Sequence, residues 1–216
     1  MPWERDNNPT SKGVDDSMPR SKCRFCGPRT FALDRLLAVA FHCGPLRVAI
    51  HQLKYKDVRA LAAPLGKLMG EGWTAWGAGA DTLDVIVPVP LHPKRLRERG
   101  YNQSALLARE LGQHLQLPVA EDLLVRTRAT APQVGLGTLQ RQENVRNAFQ
   151  YVGPIAETKR VLLVDDVCTT GATLEAAAVA LRDGGAQTIW AYTLARAKGS
   201  LIPDSYNPNE ESEKWI

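Results

Sequence analysis

Two adjacent aspartates, Asp165 and Asp166, are followed closely by Thr169, Thr170, Gly171, Ala172 and Thr173. Neighbouring carboxylates repel one another unless something electropositive or hydrogen-bond donating lies between them. The pair therefore asks for a metal ion or the hydroxyls of a diol. Small, hydroxylated residues around one glycine, just ahead of the helical pattern Leu174, Ala177, Ala178, Leu181, can aim successive backbone N–H groups and the positive end of a helix dipole at a single phosphate. A diol beside a phosphate describes a ribose 5-phosphate, with Mg²⁺ as the assisting ion. The plainer alternative is an acidic strand end and a Thr-rich helix cap. Strand, acids, turn and helix in that order favour the ligand reading.

A second concentration of charge follows the run Val85-Ile86-Val87. Pro88, Pro90 and Pro93 frame Leu91 and His92, and Lys94, Arg95, Arg97 and Arg99 come next. Prolines fix backbone angles and remove donors, so the remaining amides and cations are held in place, which suits an anion site. Two other readings stay open for the basic run: a salt-sensitive nucleic-acid contact and a solvated helix start. Further along, Gln133 to Phe149 combines Gly135 and Gly137 with Arg141, Arg146 and Asn144. It reads as a lid that excludes water when a ligand binds, or as a long ordinary connection.

The remaining candidates are single residues. His92 would donate within the proline loop, while His51 and His114 fall on helix patterns as packing or surface residues. Cys168 begins the phosphate turn, where a helix amino terminus would lower its pKa and make it oxidisable; the alternative is a small residue filling a tolerant position.

These groups need a scaffold. Val161 to Val164 is apolar without alternation, the pattern of a strand covered on both faces as in a parallel sheet. The spacing predicts strands over Leu36–Phe41, Asp84–Val89, Arg160–Val164 and Thr188–Leu194, with another beginning at Phe149. Helices are predicted over Leu46–Lys54, Arg59–Trp73, Tyr101–Leu115 and Thr173–Asp183, the last ended by Gly184-Gly185. Gly70 to Gly79 reads as a loop after the second helix. The alternation makes this an α/β fold with a parallel sheet flanked by helices, and carboxylates at a strand's carboxyl end face the ligand crevice of such a sheet.

A chain of 216 residues holds one α/β domain with an appendage. A net charge of +4 is too mild to announce a nucleic-acid binder. Met1 to Lys22 is polar, and neither a signal pattern nor a long apolar run is present, so the expectation is a cytoplasmic protein without membrane insertion. Four cysteines in such a setting suggest thiols or metal rather than disulfides. Cys23-x-x-Cys26 has the spacing of half a zinc knuckle, but no second Cys-x-x-Cys lies upstream to close a site. His42 and Cys43 are adjacent on a strand pattern and point to opposite faces. Zinc is therefore not expected.

The stretch VLLVDDVCTTGAT, Val161 to Thr173, resembles the phosphoribosyl pyrophosphate (PRPP) signature of type I phosphoribosyltransferases. GPLRVAIHQLKYKDVRALAAPLG (Gly44 to Gly66), DVIVPVPLHPKRLRERGYNQS (Asp84 to Ser104) and the spaced set Gln133, Gly135, Leu136, Arg141, Asn144, Val145, Ala148 and Phe149 narrow the resemblance to the ComF family of competence-associated phosphoribosyltransferase-like proteins. The resemblance implies a type I phosphoribosyltransferase-like domain over residues 36–198. Polar tails would lie at 1–22 and 199–216, and 23–35 would be a degenerate remnant of the family's amino-terminal zinc ribbon. It implies PRPP with Mg²⁺ as ligand. Asp165 and Asp166 would hold ribose and metal, Thr169 to Thr173 the 5-phosphate, and Leu91, His92, Pro93, Lys94 and Arg95 the pyrophosphate, with Arg141 and Asn144 in the flexible loop. It further implies a role in uptake of single-stranded DNA beside a helicase partner. A nucleobase-salvage transferase and a DNA-binding accessory protein without catalysis are the alternatives.

Overall fold

The computed structural model describes residues 31–76, 79, 82–128, 147–153 and 160–197. Within them the order is β1 (Arg35–Phe41), α1 (Gly44–Tyr55), a 3₁₀ turn (Arg59–Leu61), α2 (Ala62–Ala75), β2 (Val85–Pro88), α3 (Pro93–Arg99), α4 (Gln103–Leu115), β3 (Leu124–Arg126), β4 (Phe149–Tyr151), β5 (Arg160–Cys168), α5 (Ala172–Asp183) and β6 (Thr188–Arg196). Four strands form a parallel sheet in the order β1-β6-β5-β2, and β3 and β4 make a separate antiparallel ladder.

Period-two alternation explains the apolar runs. Ile86, Leu162, Val164, Trp190, Tyr192 and Leu194 join Leu53, Met69, Trp73, Leu107 and Leu111 of α1, α2 and α4 in one core. On the other face Val85, Val87, Val161, Leu163, Ile189 and Ala191 pack with Leu174, Ala177, Ala178 and Leu181 of α5 and with Leu124 and Phe149. A strand buried on both sides shows no polar alternation to read.

Helix α2 departs from the expectation of a loop from Gly70. It continues to Ala75, with Trp73 only 2% exposed. The glycines permit close approach here rather than a turn. A Cβ on Gly66 would collide with Glu110, one on Gly70 with the His114 ring, and one on Gly72 would lie 2.8 Å from the Tyr192 hydroxyl oxygen. Small residues let α2 and α4 approach closely, which repays glycine's low helix propensity of roughly 1 kcal/mol per residue. The predicted helix from Arg59 begins as the 3₁₀ turn, and α4 starts at Gln103 rather than Tyr101.

The segment before β1 is laced into this domain. Glu175 of α5 accepts from the amides of Ala32 (2.6 Å) and Leu33 (3.4 Å). Arg182 of the same helix donates to the Ala32 carbonyl (3.1 Å) and pairs with Asp34 (2.7 Å), whose carboxylate also accepts from the Ile189 amide (2.7 Å). Cys23, Cys26, Arg141 and Asn144 lie outside the described residues. No helix among the described residues is long and apolar enough to cross a membrane.

Candidate functional site

Chain topology places the site. Ile86 of β2 hydrogen-bonds on its outer side to Pro118 and Ala120, making a parallel bridge to Val119, while its other edge pairs with β5. The crossover from β2 through α4 thus moves away from β5, and the crossover from β5 through α5 moves the opposite way to β6. Between two such strands the connections diverge and leave a crevice at the carboxyl ends, the position where open α/β sheets bind ligands. The Leu91–Arg95 stretch, which becomes helix α3 from Pro93, follows β2 on one side of it, and the Thr169–Thr173 turn follows β5 on the other.

Strand β5 was expected to stop at Val164 but runs to Cys168, in register with β6 from Val164↔Tyr192 to Cys168↔Arg196. Asp165 and Asp166 therefore lie within a strand, where successive side chains part to opposite sides, and the acidic pair is split. Asp165 is half-buried. Its Oδ1 accepts from the hydroxyl of Ser104 (2.8 Å) and from the Asp166 amide (2.9 Å). Burial, then the charge of Asp166, pushes its carboxyl up to about 6. Asp166 is 3% exposed and turns inward. Its Oδ1 meets Lys54 Nζ of α1 at 2.9 Å, and its Oδ2 is sealed without a hydrogen-bond partner among the described residues. Burial works to lower the Lys54 pKa, but the charge and hydrogen bond of Asp166, with the charge of Asp165, outweigh it and hold the ammonium above its ordinary value.

The phosphate turn has the expected backbone. Gly171 adopts φ +80, a left-handed conformation that needs glycine, and begins α5 without a side-chain cap. Thr169 and Thr170 are exposed. Thr170 Oγ1 lies 3.4 Å from the Ala172 amide, a long contact at the start of the helix. Cys168 is buried, and burial raises its thiol pKa despite a hydrogen bond from the Gly171 amide. Of the two readings of Cys168, this favours the small residue in a tolerant position: it belongs to the core that α5 helps to form.

At β2's end the basic run divides. His92 caps α3, and its Nδ1 accepts from the Lys94 amide at 3.2 Å, so that nitrogen acts as an acceptor where a donor was expected. Lys94 is exposed and Arg95 half-buried. Arg99 is turned away to Gln103 and to the Tyr55 ring, 5.3 Å from its centroid. Arg126, on β3, is 9% exposed with its guanidinium 5.3 Å from the Phe149 ring centroid. Burial and the charge of Arg95 lower its pKa, while Asp165 opposes them.

Four residues here were not singled out from sequence. Lys54 and Ser104 hold the two aspartates. Asn102 caps α4, accepting from the Ser104 amide (3.1 Å) and donating to the Val89 carbonyl (3.0 Å), which ties the helix to β2's exit. Arg126 brings a buried cation within electrostatic reach of Arg95 and Asp165. Tyr101 completes the Gly-Tyr-Asn-Gln-Ser stretch by donating to the Leu53 carbonyl of α1.

The donor set does not build a resident Mg²⁺ site. Among the described residues no three His, Cys, Asp or Glu side chains are grouped to hold a metal. An ammonium already occupies the electropositive place beside Asp166, whereas Mg²⁺ demands an octahedral shell of oxygens.

A parallel sheet with a phosphate turn and a basic loop across its switch point defines a phosphoribosyltransferase-type domain, and the model of the phosphoribosyl transferase domain matches residues 102–215. The chain is 35% identical over 176 residues to the DNA utilization protein YhgH of Escherichia coli O157:H7, covering 81% of this chain and 77% of that one. It is 32% identical over 182 residues to Competence protein F of Haemophilus influenzae, covering 81% and 78%. Among solved structures it resembles a glutamine PRPP amidotransferase from B. subtilis complexed with ADP and GMP, at TM-score 0.40 and 22% identity over 61% of this chain and 25% of that one. The chain belongs to the ComF family of competence-associated, phosphoribosyltransferase-like proteins.

Proposed function

We propose that the chain binds PRPP in the crevice between the ends of β5 and β2, and that it serves the handling of incoming DNA. The observation that carries this is the switch point, which sets a glycine-centred phosphate turn and a cation-bearing loop on either side of one crevice. The turn at Thr169–Thr173 takes the 5-phosphate, Asp165 takes the ribose hydroxyls, and the Leu91–Arg95 loop takes the pyrophosphate, whose charge suits paired guanidinium hydrogen bonds. Mg²⁺ arrives on the pyrophosphate as part of the ligand. If transfer follows, the cations of the loop stabilise the departing pyrophosphate. The names of the relatives support the link to DNA, with single-stranded DNA and a competence helicase as partners and the cytoplasm as the place.

Calorimetric titration with PRPP and Mg²⁺, followed by a pyrophosphate-release assay over a panel of nucleobases, tests this. The expected result is saturable binding without release. Release with one base would move the chain to the salvage transferases. Absence of PRPP binding, together with DNA affinity that falls steeply as salt rises, would leave a DNA-binding accessory protein.

A further inference from the structure

We infer that Lys54 is a positioning residue that occupies, within the protein, the place a metal ion would take beside the acidic pair, so that ribose recognition needs no divalent cation. This rests on the PRPP reading. Lys54 reaches from the last turn of α1 to the carboxyl end of β5, with its ammonium 2.9 Å from Asp166 Oδ1, and its side chain is 20% exposed against 4% for Asp166. Of the oxygens of Asp166, Oδ1 is engaged by the ammonium and Oδ2 is sealed in the interior, so the side chain is turned to Lys54 rather than to the solvent. Asp166 therefore acts only through Lys54.

An uncompensated buried carboxylate at this position would repel Asp165 and draw in a cation from solution. The lysine cancels that charge and leaves Asp165, oriented by Ser104 and by the Asp166 amide, to meet a sugar hydroxyl alone. Dependence on Mg²⁺ is then confined to the pyrophosphate end. A compact ammonium suits this place because it is a point charge on a flexible stem, which can fill a position otherwise taken by a small cation.

The probe is ribose 5-phosphate, which lacks the pyrophosphate, titrated in EDTA and in millimolar Mg²⁺ against the full chain and its variants. Wild-type affinity is expected to differ by less than about threefold between the two buffers, whereas Lys54→Met loses roughly tenfold in EDTA and regains most of it in Mg²⁺. Lys54→Arg, which keeps the charge, stays within about threefold of wild type. Should Lys54→Met fail to fold by circular dichroism, the doubly neutral Lys54→Gln/Asp166→Asn carries the test, since it is expected to bind with little response to Mg²⁺.

Wild-type binding that requires Mg²⁺, or Lys54→Met binding as wild type does, overturns the inference alone. So does a double variant that binds only with Mg²⁺, because Lys54 would then be touching the ligand itself. A wild-type chain that binds neither ribose 5-phosphate nor PRPP in either buffer removes the ligand reading, and this inference with it.

Discussion

The two sides of the crevice are built on opposite principles. At the end of β5 each carboxylate has a partner within the fold, Asp166 the Lys54 ammonium and Asp165 the Ser104 hydroxyl, in bonds of 2.8–2.9 Å between buried or half-buried groups. At the end of β2 the charges have the same sign: the charge of Arg95 works against that of the buried Arg126, and Lys94 is exposed. The first side is held by the fold and helps to hold it. The second is shaped by prolines and a helix cap, and its cations are gathered beside one another. A polar surface for a sugar can be prebuilt in the first way, whereas a strongly anionic ligand is met best by cations of one sign held close together.

The contrast breaks most readily at Asp166. Asp166→Leu leaves the Lys54 ammonium buried without a partner, and urea unfolding is expected to show a loss of about 3–5 kcal/mol. The paired change Lys94→Ala/Arg95→Ala should leave stability within about 0.5 kcal/mol of wild type, while calorimetric PRPP affinity falls by roughly tenfold and its salt dependence flattens. Equal destabilisation by the two changes would erase the distinction. Asp165→Asn sharpens it, since affinity for PRPP is expected to drop by roughly tenfold with the fold intact.

Proton linkage gives a finer test on the β5 side. Asp165 is raised from 3.8 to about 6 in the folded chain. Between those values the folded state holds a proton that the unfolded state has released, so stability declines as pH rises through that window and levels off above it. Unfolding midpoints recorded from about pH 4 to about pH 7 should show this decline in wild type and a much smaller one in Asp165→Asn. The smallest effect is expected for Ser104→Ala, which removes a bond favouring the ionised carboxylate: about 1 kcal/mol of stability and a further rise in the Asp165 pKa, readable by NMR titration.

The parts of the site legible in the sequence are those made by neighbours in the chain. The phosphate turn, with its glycine at positive φ, and the apolar run of β5 are local, and so was the parallel sheet implied by alternating strand and helix patterns. What escaped depends on partners distant in sequence. Lys54 is the one lysine of α1 and looked like an ordinary basic residue in a helix's last turn, since nothing local shows that it meets Asp166. The end of β5 was placed at Val164 because aspartate is a poor strand former, yet pairing with β6 carries the strand through both acids, and that extension is what divides them. A loop was read from Gly70 because the use of Gly70 and Gly72, close approach to His114 and Tyr192, is visible only once α2 is packed.

The lacing of Ala32 to Asp34 onto Glu175 and Arg182 has a practical outcome for anyone trimming the chain. A version starting at Arg35 would keep every strand of the sheet but strip α5 of the backbone donors that neutralise Glu175 in its first turn. That carboxylate would then stand without its two backbone donors near the amino end of α5. A version starting at Phe31 retains the lacing, so the shortest chain suitable for ligand titrations begins there rather than at the first strand.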